Sequence, residues 1–322
     1  MRQAGVLDVG CHSALLTVAR GRTGAQLDPV FSRKVRLSLH KCLEPDGRLT
    51  ELGMRSVQRA VAETLAEDLS LPRSEVFAFA TSVIRDAPNR DEVVARVARA
   101  TGVRLQMLSG EEEARLAYVA ARKWSGPTVR PLLVLDIGGG TVEIAHGSGH
   151  EPHTVLSLPL GARTVTRSWL PGGVVTSKRH LAKVRHRLRE SLSTVPDLPR
   201  ADPGERVLAS SRTFAQLARL ATDPGAPRHA PRSLTLPELQ AAIRLLAATS
   251  PARRGDLPGI SRHRAEQSLA GALVAEALLE TCEADSVVTC PWSTREGLLL
   301  ERLATASRRP DGTTRQGAAL AG

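Results

Sequence analysis

Apolar and polar residues follow two alternating patterns along the first 125 positions of the chain. Short apolar runs bounded by glycine or polar residues predict strands, and longer segments with apolar residues at every third or fourth position predict amphipathic helices. Strands are predicted at "GVLDVG", "ALLTVARG", "SRKVRLSL", "EVFAFATS" and "RLQMLS". Helices are predicted at residues 50–69, "RDEVVARVARATG" and "EEEARLAYVAARKW". This order of elements predicts a mixed sheet covered by helices.

The opening pattern returns after "SGPTVRP" (residues 125–131), a short segment rich in glycine and proline. "VLDVGCHSALLTVARG" aligns without a gap with "VLDIGGGTVEIAHGSG", which places Asp8 over Asp136 and Gly10 over Gly138. Each copy predicts a strand, an acidic residue, a glycine turn and a second strand. A repeated supersecondary unit indicates two similar halves facing one another, residues 1–125 and 126–322. A chance similarity of two strand-turn-strand units is the alternative.

The second half continues with predicted helices. Two of these helices are each preceded directly by a predicted strand. The elements are a basic helix at residues 177–193, "RVLASSRTFAQLARLA", "LPELQAAIRLLAAT", "RHRAEQSLAGALVAEALLE" and "DSVVTCPWSTREGLLLERL". The stretches "DPGERV" and "ATDPGAPRHAPR" predict loops, and the tail from about residue 307 to 322 is predicted to be disordered and without function. Basic residues surround the 177–193 helix, which is typical of a solvated face but also fits a track for a long polyanion.

Composition and charge narrow the classes of partner. A chain of 322 residues, 42% of them hydrophobic, is long enough to bury two cores. Aromatic residues make up only 2% and leave few rings to stack on bases, which argues against a nucleic-acid partner. The net charge of +11 favours an anionic partner. Since the excess arginines are scattered along the chain, a biased composition is the alternative explanation of this charge.

The cysteines and the first residues predict a cytoplasmic protein. Cys11, Cys42, Cys282 and Cys290 show no C-x-x-C spacing, and a chain of this size does not need disulfides. No apolar run approaches the roughly 18 residues of a membrane span, and the chain enters a predicted strand directly, without a signal-peptide pattern. We therefore expect reduced thiols and no membrane partner.

The glycine-rich hairpin "LDIGGGTVE" is the strongest candidate for chemistry. Three successive glycines let a backbone approach a ligand closely, and their amides can form a nest for an anion. The motif is neither a P-loop nor a dinucleotide fingerprint, because the first needs G-K-[ST] and the second needs a helix to follow. A plain tight hairpin is the alternative. The second copy at residues 8–13 favours two opposed loops that hold one anionic chain.

The doubled D-x-G hairpin is the signature of the actin-like, Hsp70-like and sugar-kinase-like ATPase fold. Together with "FATSVIRDAPNRDE", "LSGEEEARLAY", "DIGGGTVE" and "SLPLGARTVTRSWLP", it resembles the exopolyphosphatase and guanosine pentaphosphate phosphohydrolase (Ppx/GppA) family. The resemblance runs from about Val6 to Leu303, and its details are most similar to the short actinobacterial exopolyphosphatases. It implies an α/β fold of two actin-like (ASKHA, ribonuclease H-like) domains with a phosphate-binding cleft between them. It further implies a homodimer and a last helix that packs back onto the first domain.

This resemblance also implies a reaction, the hydrolytic removal of the terminal phosphate of inorganic polyphosphate. The expected cofactor is Mg²⁺, with Mn²⁺ as the alternative. The expected base is Glu113, which activates the attacking water, and Glu111 and Glu112 are expected to raise its pKa by like-charge repulsion. "EEE" also fits a plain acidic helix N-terminus. The alternative functions are a guanosine pentaphosphate (pppGpp) 5'-phosphohydrolase and a non-catalytic polyphosphate or nucleotide sensor.

The remaining site residues are carried over from the motifs of the family. Asp136 matches a metal-linked aspartate with Asp8 as its equivalent, and Glu143 is the acidic residue that closes "DIGGGTVE" and is expected to share in catalysis. The phosphate loop comprises Gly138, Gly139, Gly140 and Thr141. Arg85 is expected to contact phosphate, because arginine offers bidentate hydrogen bonds. An ion pair with Asp86 is the alternative.

Two loops depart from the pattern of the family. The first usually reads D-x-G-S/T-N-S/T, but here Gly10 and Ser13 enclose Cys11 and His12, so a thiol and an imidazole replace a hydroxyl and an amide that would touch phosphate. We expect His12 to donate to phosphate with a strength that varies near pH about 6.5.

In "ASSRTF", Arg212 stands where many relatives have glycine, which favours phosphate and crowds a nucleotide base. Polyphosphate is therefore preferred to pppGpp as the expected substrate. His146, His150 and His153 have a loosely metal-like spacing but are expected to be exposed histidines.

Overall fold

The computed structural model describes residues 3–21, 27–66, 71–127, 130–221 and 231–308. The strands are β1 (Gln3–Val9), β2 (Ser13–Arg20), β3 (Asp28–Arg36), β4 (Val76–Ala80), β5 (Gln106–Met107), β6 (Leu132–Ile137), β7 (Val142–Gly147), β8 (Thr154–Leu158), β9 (Arg206–Ala209), β10 (Ser233–Thr235) and β11 (Ser286–Thr289). The helices are α1 (Glu51–Thr64), α2 (Ser82–Arg85), α3 (Arg90–Thr101), α4 (Gly110–Trp124), α5 (Ala162–Trp169), α6 (Lys178–Ser193), α7 (Arg212–Ala221), α8 (Leu236–Ala248), α9 (Pro251–Arg254), α10 (Ser268–Thr281) and α11 (Thr294–Arg308).

These strands form two sheets of matching topology. The first has the order β3-β2-β1-β4-β5, and the second has the order β10-β11-β9-β6-β7-β8. In each sheet the first strand of the hairpin, β1 or β6, pairs antiparallel with the second, β2 or β7. On its other side it pairs parallel with a strand from later in the chain, β4 beside β1 and β9 beside β6. Asp8 and Asp136 occupy the same register position of their hairpins. The predicted strand-turn-strand unit is therefore present in both sheets at matching positions.

The period-two alternation of the strands decides which way the two aspartates face. On β1, Ala4 and Val6 pack in one cluster with α11, while Leu7 and Val9 pack on the opposite face with α1 and α3. On β6, residues 132 and 134 pack with α4, while residues 133, 135 and 137 pack with the helices of the second half. Because side chains two residues apart share a face, Asp8 and Asp136 both face the side that carries α4 and α11.

The helices α4 and α11 lie between the two sheets, and each packs against the sheet of the other half of the chain. Leu298, Leu299 and Leu303 of α11 pack with the first sheet, as the resemblance implies. The alanine-rich face of α4 packs with the second sheet, although α4 precedes residue 125. The two helices approach closely at Gly297, where an added Cβ would lie 2.2 Å from the carbonyl oxygen of Leu116. Since each half covers the sheet of the other, the domain bounds at residues 125 and 126 stay a prediction.

Local signals explain where α4 begins. The hydroxyl of Ser109 accepts a hydrogen bond from the Glu112 amide at 3.1 Å, and acidic side chains fill the first turn. Such a cap satisfies one of the free amides, and negative charge is favoured at a helix N-terminus. This cap fixes the position of Glu113 one turn inside the helix.

The basic helix α6 is only partly a solvated face. Its Arg185 lies 2.6 Å from Glu276, and its Arg189 lies 2.6 Å from Glu280, both on α10. These two arginines are committed to a neighbouring helix, so they do not extend a track for a polyanion. The other basic residues of this face are exposed, namely Lys178, Arg179, Lys183 and Arg187.

Several element bounds differ from the prediction. Helix α1 ends at Thr64, with residues 67–70 outside the described part of the chain, and α10 begins at Ser268 rather than residue 262. Strand β8 and the eight-residue α5 were not predicted, because β8 is half-buried along its whole length and α5 is too short to show a clear period. The last helix reaches Arg308, and the rest of the expected tail lies outside the described residues.

Two further expectations concern the cysteines and the membrane. All four cysteines are free, two of them buried and two partly buried. Among the described helices, none combines the length and the apolar character that crossing a bilayer requires.

Candidate active site

Four carboxyl groups converge between the two sheets. Asp8 and Asp136 lie near the ends of β1 and β6, Glu143 faces Asp136 in the β6–β7 register, and Glu113 lies in the first turn of α4. The charges of Asp8 and Asp136 act on Glu113, and those of Asp136 and Glu113 act on Glu143. The structure thus brings together the acidic residues that the sequence predicts for catalysis and metal binding.

Burial is the main influence on this acidic cluster. It raises the pKa of Asp8 to about 6 and that of Glu113 to about 8. The pKa of Glu143 is raised well above its usual value, first by burial and then by the negative charges of Asp136 and Glu113. Desolvation and like charges both disfavour ionised carboxyl groups. Arg85 and Arg295 offset only part of this effect, so the cluster is suited to take up a cation or protons.

Two hydroxyl groups hold Asp136 in place. Ser210, at the end of β9, and Ser293, directly before α11, each donate a hydrogen bond of 2.8 Å to Oδ2 of Asp136. Burial raises the pKa of Asp136, and these two bonds oppose that rise. Neither of them uses the other carboxylate oxygen, Oδ1. The sequence did not single out either serine, because both come from segments more than 70 residues away.

Arg85 forms an ion pair with Glu113 and so connects α2 to α4. Its guanidinium also donates to Asp86 Oδ1 at 3.0 Å and to the carbonyl oxygen of Leu108 at 3.1 Å. The ion pair with Asp86 is thus present, but it is only one of three interactions. A contact between Arg85 and phosphate stays a prediction.

The expected cause of the raised pKa of Glu113 is wrong. Glu112 is held by Arg115 through two hydrogen bonds of 2.8 Å, and its pKa is lowered mainly by them. The pKa of Glu113 is raised by burial and then by Asp8, Asp136 and Asp86, while Arg85 opposes the rise. Adjacent positions on a helix point in different directions, so neighbouring glutamates in sequence do not share one environment.

The glycine hairpin is a tight turn that packs against the start of α5. The amides of Ala162 and Arg163 donate to the carbonyl oxygens of Gly138 and Gly139 at 3.0 and 2.9 Å. A Cβ on Gly139 would lie 2.9 Å from a nitrogen of Arg163, and one on Gly140 would lie 2.7 Å from the Ser82 hydroxyl. A side chain at either position would therefore have to displace Arg163 or Ser82, and Thr141 adds a hydrogen bond to Glu143. Their contact with phosphate stays a prediction.

Cationic side chains from both halves surround the acidic cluster. Arg212 is exposed at the start of α7, and its charge, with that of Arg264, helps to lower the pKa of Lys34, which burial lowers most. Arg163 and Arg212 both act on the half-buried Arg264. The positive charges of these side chains repel one another. An anion bound here would therefore offset several of them at once.

Of these cations the sequence predicted only Arg212. Arg163 and Arg295 lie within motifs that carried the family resemblance, "GARTVTRSW" and "CPWSTREG", and that was the available signal. Arg295 acts on Asp8 and partly offsets its burial. Lys34 and Arg264 lie outside any motif.

The first loop folds as a turn whose side chains meet two further histidines. The Gly10 amide donates to the Ser13 carbonyl oxygen at 2.9 Å, and the His12 ring lies 4.9 Å from the rings of both His40 and His263. The pKa of His12 is lowered to about 3, chiefly by burial. The expectation that its charge varies near pH about 6.5 is therefore wrong, because the buried ring stays neutral there.

The other three histidines lie elsewhere on the second sheet. His146 Nε2 is 2.9 Å from Glu205, and its ring contacts that of His153. Within the described ranges of the chain, none of the three belongs to a group with metal-ligand spacing. His146 is partly buried rather than exposed, whereas His150 and His153 are exposed as expected.

A largely buried acidic cluster faced by cationic side chains, set between two sheets of matching topology, is the arrangement that the family resemblance predicts for an enzyme acting on phosphate groups. The sequence model of the Ppx/GppA phosphatase family matches residues 17–306, and this chain belongs to that family.

The chain is similar to curated proteins along most of their length. It is 39% identical over 303 residues to exopolyphosphatase 1 of Mycobacterium leprae, and the aligned residues cover 93% of this chain and 89% of that protein. It is also 39% identical over 304 residues to exopolyphosphatase 1 of Mycobacterium tuberculosis, covering 93% and 88%. The relatives confirm that the chain is an enzyme of the phosphatase class.

Solved structures confirm the fold. A crystal structure of the Aquifex aeolicus Ppx/GppA family member is 25% identical, with a TM-score of 0.79 over 95% of this chain and 99% of that one. An exopolyphosphatase from Cytophaga hutchinsonii, 20% identical, shares the fold with a TM-score of 0.74 over 94% and 98%.

Proposed function

We propose that this enzyme is an exopolyphosphatase that removes the terminal phosphate of inorganic polyphosphate. The observation that carries this proposal is the buried Glu113, which is paired with Arg85 and lies beside Asp8 and Asp136. The names of the mycobacterial relatives support polyphosphate as the substrate. The exposed Arg212 beside Lys34 and Arg264 supports a substrate that is anionic along its length.

The residues present fit a divalent cation. Asp8 and Asp136 offer hard oxygen ligands of the kind that Mg²⁺ prefers, and both serines that bind Asp136 use its Oδ2 rather than its Oδ1. We propose that these two carboxylates hold Mg²⁺, with Mn²⁺ as a substitute. When bound, the ion supplies positive charge that stabilises phosphate oxygens and favours ionisation of nearby carboxyl groups.

The proposed base is Glu113. A water molecule attacks the terminal phosphorus in line with the bridging oxygen, the new phosphorus–oxygen bond forms, and the anhydride bond breaks. Glu113 accepts the proton that the water loses, and the shortened polyphosphate chain leaves with the bridging oxygen. The products are orthophosphate and a chain one unit shorter. Arg85 positions the carboxylate and helps to keep it ionised.

The surrounding groups have separate proposed roles. Glu143 lies behind Asp136 and is bound by Ser157 at 3.3 Å, so it supports the geometry of the cluster and shares its protons. The loops at residues 10–13 and 138–141 are proposed to bind phosphate through backbone amides. Lys34, Arg163, Arg212 and Arg264 are proposed to bind the following phosphates of the chain.

A substrate comparison tests this proposal. Phosphate release is measured with polyphosphates of several lengths and with pppGpp, at equal enzyme concentration and with Mg²⁺ or Mn²⁺. We expect polyphosphate to be the better substrate, since Arg212 crowds the space of a nucleotide base. A strong preference for pppGpp would favour the alternative phosphohydrolase, and binding of polyphosphate without release of phosphate would favour the sensor. Product lengths distinguish processive from distributive hydrolysis.

We also propose a homodimer and a cytoplasmic location. The family resemblance described above motivates the first, and the free cysteines motivate the second. Light scattering of the purified protein and fractionation of cells that express it natively test them.

A further inference from the structure

A cysteine and two histidines meet beside the first hairpin. Cys11 and His12 lie in the turn between β1 and β2, and His40 lies in the short turn of 3₁₀ helix at Leu39–Lys41. One ligand atom from each residue lies within 4.8 Å of the others, and Cys11 Sγ is 3.7 Å from His40 Nδ1. The acidic cluster takes no part in this group.

The backbone holds the three side chains together. The Leu39 amide donates to the carbonyl oxygen of Cys11 at 3.0 Å, and the Leu37 amide donates to that of His12 at 2.9 Å. Leu39 is fully buried and anchors the turn that carries His40. The two loops are therefore joined before any ligand arrives, which lowers the entropic cost of binding one.

This donor set suits zinc rather than magnesium. Zn²⁺ takes thiolate and imidazole ligands at about 2.3 and 2.0–2.1 Å in a tetrahedron, which puts a sulfur and a nitrogen about 3.6 Å apart. The observed 3.7 Å between Cys11 and His40 fits that edge. Nδ1 of His12 is buried and has no hydrogen-bond partner within the part of the chain that the structure describes. A buried nitrogen without a hydrogen bond lowers the stability of the fold unless a ligand binds it.

The surroundings place this group in the cleft. The His12 ring contacts that of His263, which belongs to the second half of the chain. Burial raises the pKa of the Cys11 thiol, and Arg163 and Arg264 oppose only part of that rise. The same two arginines disfavour a bare cation, and a thiolate ligand offsets one positive charge of the metal.

We propose that Cys11, His12 and His40 bind one Zn²⁺ ion, and that the bound ion blocks the first phosphate loop. The blocking rests on the proposed function, because Cys11 and His12 stand where that function requires contact with phosphate. The zinc site itself does not depend on it. No spacing motif announced the site, since its ligands come from two loops 28 residues apart.

Metal binding without substrate tests the site. The purified chain is stripped with a chelator, then titrated with Zn²⁺ against a chromogenic chelator, and separately with Co²⁺ while the absorption spectrum is recorded. We expect one equivalent of tightly bound metal and a thiolate-to-cobalt charge-transfer band. Cys11→Ser should abolish the band, and His40→Asn should weaken zinc binding at least about tenfold.

Matched controls keep this test decisive. Cys42→Ser and His186→Asn remove a thiol and an imidazole outside the group, and both should retain the band and the affinity. Circular dichroism verifies that each variant is folded. Absence of the band from the wild type, or a band that persists in folded Cys11→Ser, would overturn the site.

Hydrolysis tests the blocking separately. Zn²⁺ is added to enzyme that is turning over polyphosphate with Mg²⁺, and each variant is compared with its own zinc-free rate. We expect one equivalent of zinc to inhibit the wild type and His40→Asn to need more zinc. An unchanged wild-type rate with the site filled would refute the block. A cobalt band in a protein that releases no phosphate would leave the zinc site intact and refute the proposed function instead.

Discussion

Arg85 and Glu113 form an ion pair in which each side chain is almost closed to solvent, with 13% and 12% of its surface exposed. The pair links α2 of the first half to the first turn of α4, which packs on the second sheet. The charges of three aspartates, Asp8, Asp136 and Asp86, at the same time oppose the ionisation of Glu113. Arg85 is thus a positioning residue that sets both the place and the charge of the proposed base.

Removal of the Arg85 charge should shift the pH dependence of hydrolysis. A neighbouring cation favours the ionised carboxyl, so Arg85→Met should raise the pKa of Glu113 and move the rise of kcat/KM to higher pH by at least about one unit. Arg85→Lys keeps the charge and should restore part of the shift. A loss of rate in Arg85→Met without any change in the profile would show a structural role only.

Metal-free protein should lose stability as the pH rises. The pKa of Glu113 goes from 4.5 to about 8 on folding, so the folded chain binds more protons than the unfolded chain between these values. The free energy of unfolding therefore falls with rising pH across that window, and Asp8, with a pKa near 6, acts in the same direction. Thermal unfolding in the presence of a chelator, from about pH 5 to about pH 8, measures this slope.

Magnesium should recover the stability lost at the upper end of that window. At a free concentration of about 100 times its Kd, a ligand adds about 2.7 kcal/mol to the free energy of unfolding. The gain should be large at pH 8 and small at pH 5, since protons compete for the same carboxylates. Asp136→Asn removes one proposed ligand and should reduce the gain. Equal gains in that variant and in the wild type would place the cation elsewhere.

A methyl group on Gly161 should destabilise the glycine hairpin. Its Cβ would lie 2.4 Å from the carbonyl carbon of Gly140 and 2.5 Å from the amide nitrogen of Thr141. Overpacking against backbone typically costs about 1–3 kcal/mol. Gly149→Ala is the control, because the nearest atom to its added Cβ is 3.7 Å away. Denaturant unfolding compares the two variants, and equal midpoints would contradict the packing argument.

Arg212→Ala should weaken substrate binding more than turnover. The charge of this exposed side chain acts on Lys34 and Arg264, which are proposed to bind the following phosphates of the chain, so KM for long polyphosphate should rise several-fold while kcat stays close to wild type. The rise should shrink at high salt, because exposed charges are screened. Arg179→Ala, an exposed arginine on α6, is the control. An unchanged KM in Arg212→Ala would place the polyphosphate chain elsewhere.

The sequence was sufficient for features that are local or repeated. The alignment of Asp8 with Asp136 predicts both hairpins and their matching place in two sheets, because a strand-turn-strand unit is determined by neighbouring residues. Motifs in order along the chain indicated the family, and with it the carboxylates of the site.

The sequence was insufficient where remote segments meet. Ser210 and Ser293 reach Asp136 from 74 and 157 residues away, and local periodicity carries no record of such contacts. The cause of the raised pKa of Glu113 was misjudged for the same reason, since it depends on burial between two sheets rather than on adjacent glutamates. His40 meets Cys11 from 29 residues away, which local periodicity does not record either.

Phosphate release by Glu113→Gln tests the central claim most directly. Glutamine keeps the shape of the side chain but cannot accept the proton of the attacking water. We predict that the rate with polyphosphate and Mg²⁺ falls by about 10²–10⁴-fold, while the affinity for polyphosphate changes little. Glu112→Gln, one position earlier and bound to Arg115, is predicted to keep its activity. A folded Glu113→Gln enzyme that hydrolyses polyphosphate at the wild-type rate would contradict the account.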